Sequence, residues 1–312
     1  MQRITLAFVL ACAAAYPAVA GTVQRPGCSP DGAGGCRPGV VAAPSVQPDT
    51  VTTGNGINYH GGPVMSGQVN AYFIWYGNWN GSGSNSQGTV SLINSLFGNT
   101  GLNNSGYFDI NQTYGSNSAN VSGSILRIKS TTDNYSRGTR LSDTAIRNVV
   151  SSAISSGRLP SDTHGIYFVI TSSDVTATSG FCTSYCGWHT HASIGGADIK
   201  YSFIGNPDRC PSSCEAQTVS PNGNAGADGM ASIMAHEAEE AASDPDLNAW
   251  FDSSGEENAD KCAWKWGSLT GTVGNGGFNQ SLAGKHWLIQ MNWENSRGGG
   301  CAKTKGGSFF SR

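Results

Sequence analysis

The hydrophobic positions of this chain form short β-type runs separated by segments of helical period. Three runs are rich in β-branched and aromatic residues and end at turn-forming residues, which predicts strands at residues 69–79, 119–131 and 166–171. A fourth strand is predicted at residues 285–293, close to the C-terminus. Strands that alternate with helices predict a single α/β or α+β domain.

Three segments have the period of amphipathic helices. Residues 89–99 form a short one, and residues 141–157 a longer one with Ser142 or Asp143 as its N-cap and Gly157 as its stop. The third helix is expected over residues 228–243, where Pro245 ends it. Between residues 180 and 226 the chain is rich in Cys, Gly and Trp, and we expect loops there.

The N-terminal fifth of the chain lacks these periods. Residues 1–20 contain one arginine, an apolar run and a small-x-small end, which predicts a signal peptide cleaved after Ala20. Residues 21–56 are rich in Pro and Gly and are expected to form an extended arm or linker. The folded domain is therefore predicted over residues 57–312, with export to the extracellular space and no membrane span.

Composition narrows the classes of partner. Charged residues make up 12% of the chain, the formal net charge is -3, and the basic residues form no run. Such a chain is unsuited to binding the phosphate backbone of a nucleic acid or an anionic membrane surface. A peptide or a cell-wall component remains as the expected partner.

Removal of a signal peptide would leave eight cysteines, and an even number in an exported protein predicts disulfides. Proximity along the chain favours four pairs, which are Cys28–Cys36, Cys182–Cys186, Cys210–Cys214 and Cys262–Cys301. A zinc site made of the two Cys-x3-Cys segments is the competing interpretation.

The chemistry most specific to this sequence is in the third predicted helix. His236 and Glu240 are four residues apart and share one helix face, so both could bind one cation. Glu237 lies about 100 degrees around the helix, where a general base could reach water at that cation. The pattern resembles a zinc-protease helix with a carboxylate in place of the second histidine, since carboxylates also bind Zn²⁺.

A third ligand is expected from the acidic segment that follows this helix, with Glu257 and Asp260 as the favoured residues. Ten of the chain's 21 acidic residues lie between positions 228 and 260. Two other interpretations remain open for this concentration of charge. The helix could belong to a hydrogen-bonded network without metal, or it could be a solvated surface helix.

Two further groups are weaker candidates. His189 and His191 have strand-like spacing and could bind a metal, although a polar loop is the simpler interpretation. Seven aromatic residues could stack on sugar rings if they were exposed, while burial in the core is the alternative. They are Trp75, Tyr76, Trp79, Trp188, Trp250, Trp264 and Trp266.

Several blocks of sequence resemble the EXORDIUM-like, or phosphate-induced, family of secreted proteins. They include "YHGGPVMSGQVNAYFIWYGNW", "GFCTSYCGWHTH", "PNGNAGADGM" and "GKHWLIQMNW", in matching order over residues 57–302. The resemblance implies an extracellular location and a role in growth or at the cell wall. Plant members generally lack the His-Glu pair, so the chain is more similar to microbial relatives that read His-Glu-x-x-Glu.

Two functions follow as expectations. One is a secreted zincin-like domain with a zinc ion held by His236, Glu240 and Glu257 or Asp260, with Glu237 as the general base of a metallopeptidase. The other is a non-catalytic extracellular protein that interacts with the cell wall or with carbohydrate.

Overall fold

A computed structural model describes residues 21–22, as backbone only, and residues 56–310. The predicted signal peptide and the Cys28–Cys36 pair lie outside these residues. Sixteen strands are found in this part of the chain: β1 (Gly21–Thr22), β2 (Asn58–Tyr59), β3 (Gly67–Tyr76), β4 (Val121–Asp133), β5 (Arg140–Leu141), β6 (Gly165–Thr171), β7 (Thr176–Ala177), β8 (Gly187–Ile194), β9 (Ala197–Ile204), β10 (Trp250–Phe251), β11 (Gly271–Val273), β12 (Gly276–Phe278), β13 (Gln280–Leu282), β14 (Lys285–Trp287), β15 (Asn292–Glu294) and β16 (Gly300–Ala302). The α-helices are α1 (Gln87–Leu96), α2 (Asp143–Ser155), α3 (Pro211–Cys214) and α4 (Ala225–Ser243).

One six-stranded mixed sheet organises the domain, in the order β1-β8-β9-β6-β3-β4. The four strands β9, β6, β3 and β4 are parallel to their neighbours within this group. β8 runs antiparallel to β9, and the two-residue strand β1 pairs antiparallel with the outer side of β8. β6 is buried along its whole length, as expected of a central parallel strand.

The predicted helices are present with shifted ends. Ser142 caps α2 through its side chain, which accepts the Ala145 N–H at 3.1 Å. Asn224 caps α4 in the same way, through the Ala227 N–H at 3.0 Å, so α4 begins earlier than the pattern predicts. α4 packs against β8, β9, β6 and α1, which places its His-Glu segment beside the edge of the sheet.

The close approach of α4 to β8 depends on a glycine. A Cβ at Gly187 would lie 2.6 Å from Ile233 Cγ2 and 3.0 Å from the Phe203 carbonyl oxygen. It would also lie 3.1 Å from Glu237 Oε1. A larger residue at this position would therefore push the strand away from the helix.

The prediction of loops throughout residues 180–226 is wrong, because β8 and β9 form a hairpin there. Gly195 and Gly196 make its two-residue turn and both have positive φ, at 61° and 83°. A Gly-Gly pair suits the turns that favour such hairpins, and this signal was present in the sequence.

The single strand predicted at residues 285–293 is also wrong, because it is divided into β14 and β15. Between them the backbone bonds to side chains and to a distant loop instead of to a neighbouring strand. Ile289 N–H donates to Asn279 Oδ1, and Gln290 N–H donates to Ser232 Oγ. The spacing of hydrophobic residues does not reveal backbone hydrogen bonds to side-chain acceptors of this kind.

Three disulfides join the described cysteines, and two of them differ from the predicted pairs. Cys262–Cys301 is confirmed. The two Cys-x3-Cys segments, by contrast, are cross-linked to each other as Cys182–Cys210 and Cys186–Cys214. The segments lie side by side, so pairing between them replaces the local pairs, and the competing thiolate zinc site is wrong.

Among the described residues, no helix combines the length and the apolar character that a membrane crossing requires.

Candidate metal centre

α4 is buried on every side, since all of its residues except Ala225 are shielded from solvent. His236, Glu237, Glu239 and Glu240 each have 0% of their surface exposed. The interpretation of this segment as a solvated surface helix is therefore wrong. A helix that buries three glutamates and a histidine must place their polar groups against partners inside the protein.

Six of the side chains around α4 converge, and we refer to them as the buried cluster. Its members are His189, His236, Glu237, Glu240, Glu257 and Asp260. Five are fully or almost fully buried, while the Asp260 side chain is 10% exposed.

The part of the cluster on α4 is organised around His236. Its Nε2 lies 2.8 Å from Glu240 Oε1 and 3.4 Å from Asp260 Oδ1. The contact with Glu240 lacks hydrogen-bond alignment, since this nitrogen has no hydrogen-bond partner among the described residues. The two atoms are therefore adjacent without a hydrogen bond between them, and both are available to a cation.

The other part of the cluster is centred on His189, which lies on β8. Its Nε2 is 3.0 Å from Glu257 Oε2 and 3.7 Å from Glu240 Oε2. Glu240 therefore directs one carboxylate oxygen towards each histidine.

Several polar atoms of the cluster have no hydrogen-bond partner within residues 56–310. These atoms are His189 Nδ1, both ring nitrogens of His236, both carboxylate oxygens of Glu237, Glu240 Oε2 and Glu257 Oε1. A buried polar atom without a partner is costly, and so many in one place need an explanation.

Within the described residues, no Lys or Arg side chain neutralises the buried cluster. In the part of the chain that the structure describes, no Lys or Arg forms an ion pair with any of its members. The nearby Lys261 is engaged elsewhere, with Asp252 at 2.7 Å. The four carboxylates of the buried cluster are therefore accompanied by two histidines and, among the described residues, by no paired Lys or Arg.

Burial and mutual repulsion shift the pKa values of these groups. Burial, reinforced by the Asp260 carboxylate, raises the pKa of Glu240 to about 8. Burial also raises the pKa of Glu237 and of Glu257 well above the ordinary value. Without a cation, protons would have to neutralise these carboxyl groups.

The pKa values of the two histidines of the buried cluster shift in opposite directions. Burial lowers the pKa of His189 more than the neighbouring Glu240 raises it. Burial also lowers the pKa of His236, but Glu240 and Asp260 outweigh it, so this pKa lies well above its ordinary value. The neutral imidazole that a metal requires is thus already favoured at His189.

The acidic loop, which comprises residues 255–262, is held against α4 by backbone hydrogen bonds and by a disulfide. Asp260 N–H donates to Glu240 Oε1 at 3.1 Å, and Glu257 N–H donates to Asp260 Oδ2 at 3.2 Å. Cys262, two residues beyond Asp260, is bonded to Cys301. Glu257 and Asp260 are therefore fixed in position, as a ligand loop must be.

A second group of titratable residues lies near the surface, part-exposed except for the buried Lys200, and we refer to it as the surface cluster. It consists of His191, Asp198, Lys200 and Asp246. His191 Nδ1 is 2.8 Å from Asp198 Oδ1. Lys200 Nζ is 2.7 Å from Asp198 and 3.3 Å from Asp246. This ammonium supplies the positive charge that the buried cluster lacks.

The structure brings together all of the residues predicted as metal ligands, together with Glu237. It adds His189, a weaker candidate on the sequence alone because loops are predicted for its segment. The i and i+2 spacing of His189 and His191 on a strand was the available signal. One fully buried histidine and one part-exposed histidine result from it.

The aromatic candidates for sugar binding are divided by burial. The side chains of Trp75, Tyr76, Trp79 and Trp188 belong to the hydrophobic core. Trp250, Trp264 and Trp266 are half-buried. A carbohydrate surface, if present, would have to use the latter three.

Comparison with known proteins identifies relatives over most of the domain. A family model described as "Phosphate-induced protein 1 conserved region" matches residues 57–298. Protein EXORDIUM-like 3 of Arabidopsis thaliana is 31% identical over 258 residues, covering 74% of each chain. Protein EXORDIUM-like 5 of the same plant is 32% identical over 284 residues, covering 76% of this chain and 75% of the relative.

A tobacco relative is more distant. Protein PHOSPHATE-INDUCED 1 of Nicotiana tabacum is 27% identical over 219 residues, covering 62% of this chain and 67% of the relative. No solved structure matches the chain significantly.

Proposed function

Because the chain belongs to the EXORDIUM-like, phosphate-induced protein family, we propose that it is an extracellular, growth-related protein whose core is stabilised by a buried metal centre. Three disulfides support a protein that folds in an oxidising compartment. The family supports the extracellular role, and the buried cluster supports the metal.

The unpartnered polar atoms of the buried cluster are the observation that carries the metal proposal. A divalent ion would give His236 Nε2 and the unpartnered oxygens of Glu237, Glu240 and Glu257 a partner. It would also neutralise carboxylates that, among the described residues, form no ion pair with Lys or Arg. Imidazole and carboxylate ligands suit Zn²⁺, and we propose zinc as the resident ion.

Burial favours a structural role for this centre. Structural zinc sites are closed, whereas catalytic sites keep a position open to substrate. His189, His236, Glu237 and Glu240 have 0% exposure, so a peptide bond could reach them only after α4 or β8 moved.

A second candidate is a metallopeptidase on a zincin-like scaffold. It is favoured by Glu237, whose two oxygens are unpartnered beside His236 and Glu240, and by the position of the His-Glu helix on a mixed sheet. A divalent ion would polarise a peptide carbonyl there. Glu237 would take the proton from the attacking water.

Two variants of the secreted full-length protein separate these candidates. Glu237→Gln removes the general base, and Glu239→Gln is the matched control because it lies on the same buried helix but bonds to the Tyr107 hydroxyl. We expect no hydrolysis of denatured casein by the wild type, and pull-down by insoluble cell-wall polysaccharide that is unchanged in both variants. If the wild type cleaves casein and Glu237→Gln alone abolishes cleavage while retaining the fold, the peptidase candidate replaces the structural one.

Metal analysis tests the centre itself. The secreted wild type should contain tightly bound zinc, and His236→Ala should lose most of it. Less than about a tenth of an equivalent of any transition metal in the wild type would disprove the metal centre.

A further inference from the structure

The ligand atoms of the buried cluster form two sets that share one residue. Within each set, all ligand atoms lie within 4.8 Å of one another. The first set is His189, Glu240 and Glu257, and the second is His236, Glu237 and Glu240. Among the described residues, Glu240 belongs to both.

We propose that the buried cluster binds two divalent metal ions, with the Glu240 carboxylate as the bridge between them. This inference rests on the proposed metal centre and adds the number of its ions and the residues that bind each of them. His189 and Glu257 would hold one ion, and His236 and Glu237 the other, with Asp260, whose Oδ1 lies 3.4 Å from His236 Nε2, as a further ligand of the second ion.

Distances within each set support two ions. Ligand atoms that each lie about 2.0 to 2.2 Å from one ion in tetrahedral geometry are about 3.3 to 3.6 Å from one another. His236 Nε2 is 2.8 Å from Glu240 Oε1 and 3.4 Å from Asp260 Oδ1. On the other side, His189 Nε2 is 3.0 Å from Glu257 Oε2 and 3.7 Å from Glu240 Oε2. Each histidine thus has one carboxylate oxygen close to the tetrahedral separation, at 3.4 or 3.7 Å, and one at a shorter distance, 2.8 or 3.0 Å, that would lengthen on metal binding.

The orientation of Glu240 explains why the two sets are distinct. Its Oε1 faces His236 and its Oε2 faces His189, so each oxygen is directed towards a different histidine, as in a carboxylate that bridges two ions. Two-metal sites typically place their ions about 3.5 to 4 Å apart, a spacing that one bridging carboxylate can span.

The charge of the buried cluster also favours two divalent ions. Glu237, Glu240, Glu257 and Asp260 carry four negative charges when ionised, and among the described residues no Lys or Arg pairs with them. One divalent ion would leave two of these charges uncompensated in a buried site, whereas two would balance all four. Two imidazoles with four carboxylates suit Zn²⁺, Mn²⁺ or Fe²⁺.

The primary test is the metal-to-protein ratio of the secreted full-length protein, measured by plasma mass spectrometry after gel filtration. We expect about two equivalents of divalent transition metal per chain. Loading with Mn²⁺ should also give the electron paramagnetic resonance spectrum of an exchange-coupled pair instead of that of an isolated ion.

Variants assign the two ions. His189→Ala should retain about one equivalent, and Asp260→Ala should also retain about one, because each removes a ligand of a single ion. Glu240→Gln should lose more than either, since it weakens both positions. Glu239→Gln, adjacent on the same helix but bonded to Tyr107, should keep both ions.

The outcomes separate this inference from the metal centre on which it rests. A wild type with one equivalent and an isolated-ion Mn²⁺ spectrum would overturn the pair of ions while leaving a single-ion centre in place. A wild type without metal would overturn both.

Discussion

The buried and surface clusters differ by one positive side chain, although β8 contributes a histidine to each. At the surface, Lys200 Nζ lies 2.7 Å from Asp198 and 3.3 Å from Asp246, so the acidic groups have an ammonium between them. In the buried cluster the corresponding positive charge comes from no side chain among the described residues, and polar atoms are left without partners. In the surface cluster one buried atom, Asp246 Oδ1, also lacks a hydrogen-bond partner among the described residues, but it lies 3.3 Å from the Lys200 ammonium. The two clusters therefore differ in the charge available to their carboxylates.

The contrast shows why the number of acidic residues alone does not identify a metal site. In the surface cluster the Lys200 ammonium lies beside both Asp198 and Asp246, and part-exposed ion pairs of this kind contribute little to stability. In the interior the solvent cannot help, so an uncompensated carboxylate requires a proton or a metal ion.

Metal removal should produce the largest effect. An ion present at about 1,000 times its dissociation constant stabilises the folded state by about 4 kcal/mol. For a chain of this size, each kcal/mol corresponds to about 2 to 4 °C in Tm. A strong chelator should therefore lower Tm by about 10 °C or more in differential scanning calorimetry, and added Zn²⁺ should restore it. An unchanged Tm in a metal-containing sample would contradict the stabilising role.

Histidine substitutions at the two clusters sharpen the comparison. His236→Ala removes one partner from a buried charged group and should cost about 3 to 5 kcal/mol in the free energy of unfolding. His191→Ala, two residues beyond His189 on β8, should cost less than about 1 kcal/mol because its ion pair is part-exposed. Urea unfolding of both variants measures the difference, and equal losses would mean that the clusters are of the same kind.

The disulfide behind the acidic loop should have an intermediate effect. A double Cys262→Ser, Cys301→Ser variant frees a loop with a sequence separation of 39 and should lower stability by about 2 to 4 kcal/mol. It should also weaken metal binding, since Asp260 lies two residues from Cys262. The double variant Cys182→Ser, Cys210→Ser is the control, because that bond joins segments outside the acidic loop. Metal affinity that fell equally in both would argue against a role of the loop in binding.

The smallest effect is expected from Lys200→Met in the surface cluster. Burial alone would raise the pKa of Asp198, but hydrogen bonds from Lys200 and His191 outweigh it and lower the pKa to about 2. Because the folded-state pKa is depressed, the stabilisation is present above the ordinary value of 3.8 and is lost as the pH falls through about 2.

In Lys200→Met the Asp198 pKa should therefore rise towards its ordinary value, as followed by the carboxyl resonance in an NMR titration. Stability at neutral pH should fall by about 1 kcal/mol, because solvent screens the Asp198 side chain, which is 40% exposed. An unchanged pKa of Asp198 in this variant would show that His191 alone maintains the low pKa of this carboxyl group.

Most residues of the buried cluster could be predicted from the sequence, but the approach of His189 could not. His236, Glu237 and Glu240 could be placed together because helical spacing is a local property. Glu257 and Asp260 could be proposed from the local density of acidic residues. His189 was harder to place, because its approach depends on the β8–β9 hairpin and on the absence of a side chain at Gly187.

The fold shows the same division between local and long-range information. The capped helix α2 and the buried strand β6 follow from periodicity and turn residues. The cross-linked pairs Cys182–Cys210 and Cys186–Cys214 do not, because cysteine spacing says nothing about which segments lie side by side. The interruption between β14 and β15 depends on side-chain acceptors such as Asn279.

Anomalous diffraction from crystals of the secreted protein, collected on both sides of the zinc absorption edge, would show whether the buried cluster holds metal. We expect two anomalous peaks inside the buried cluster, one next to His189 and one next to His236, and none at the surface cluster. A buried cluster with no peak, in a protein whose fold and disulfides are intact, would contradict the metal centre and would mean that protons neutralise these carboxylates.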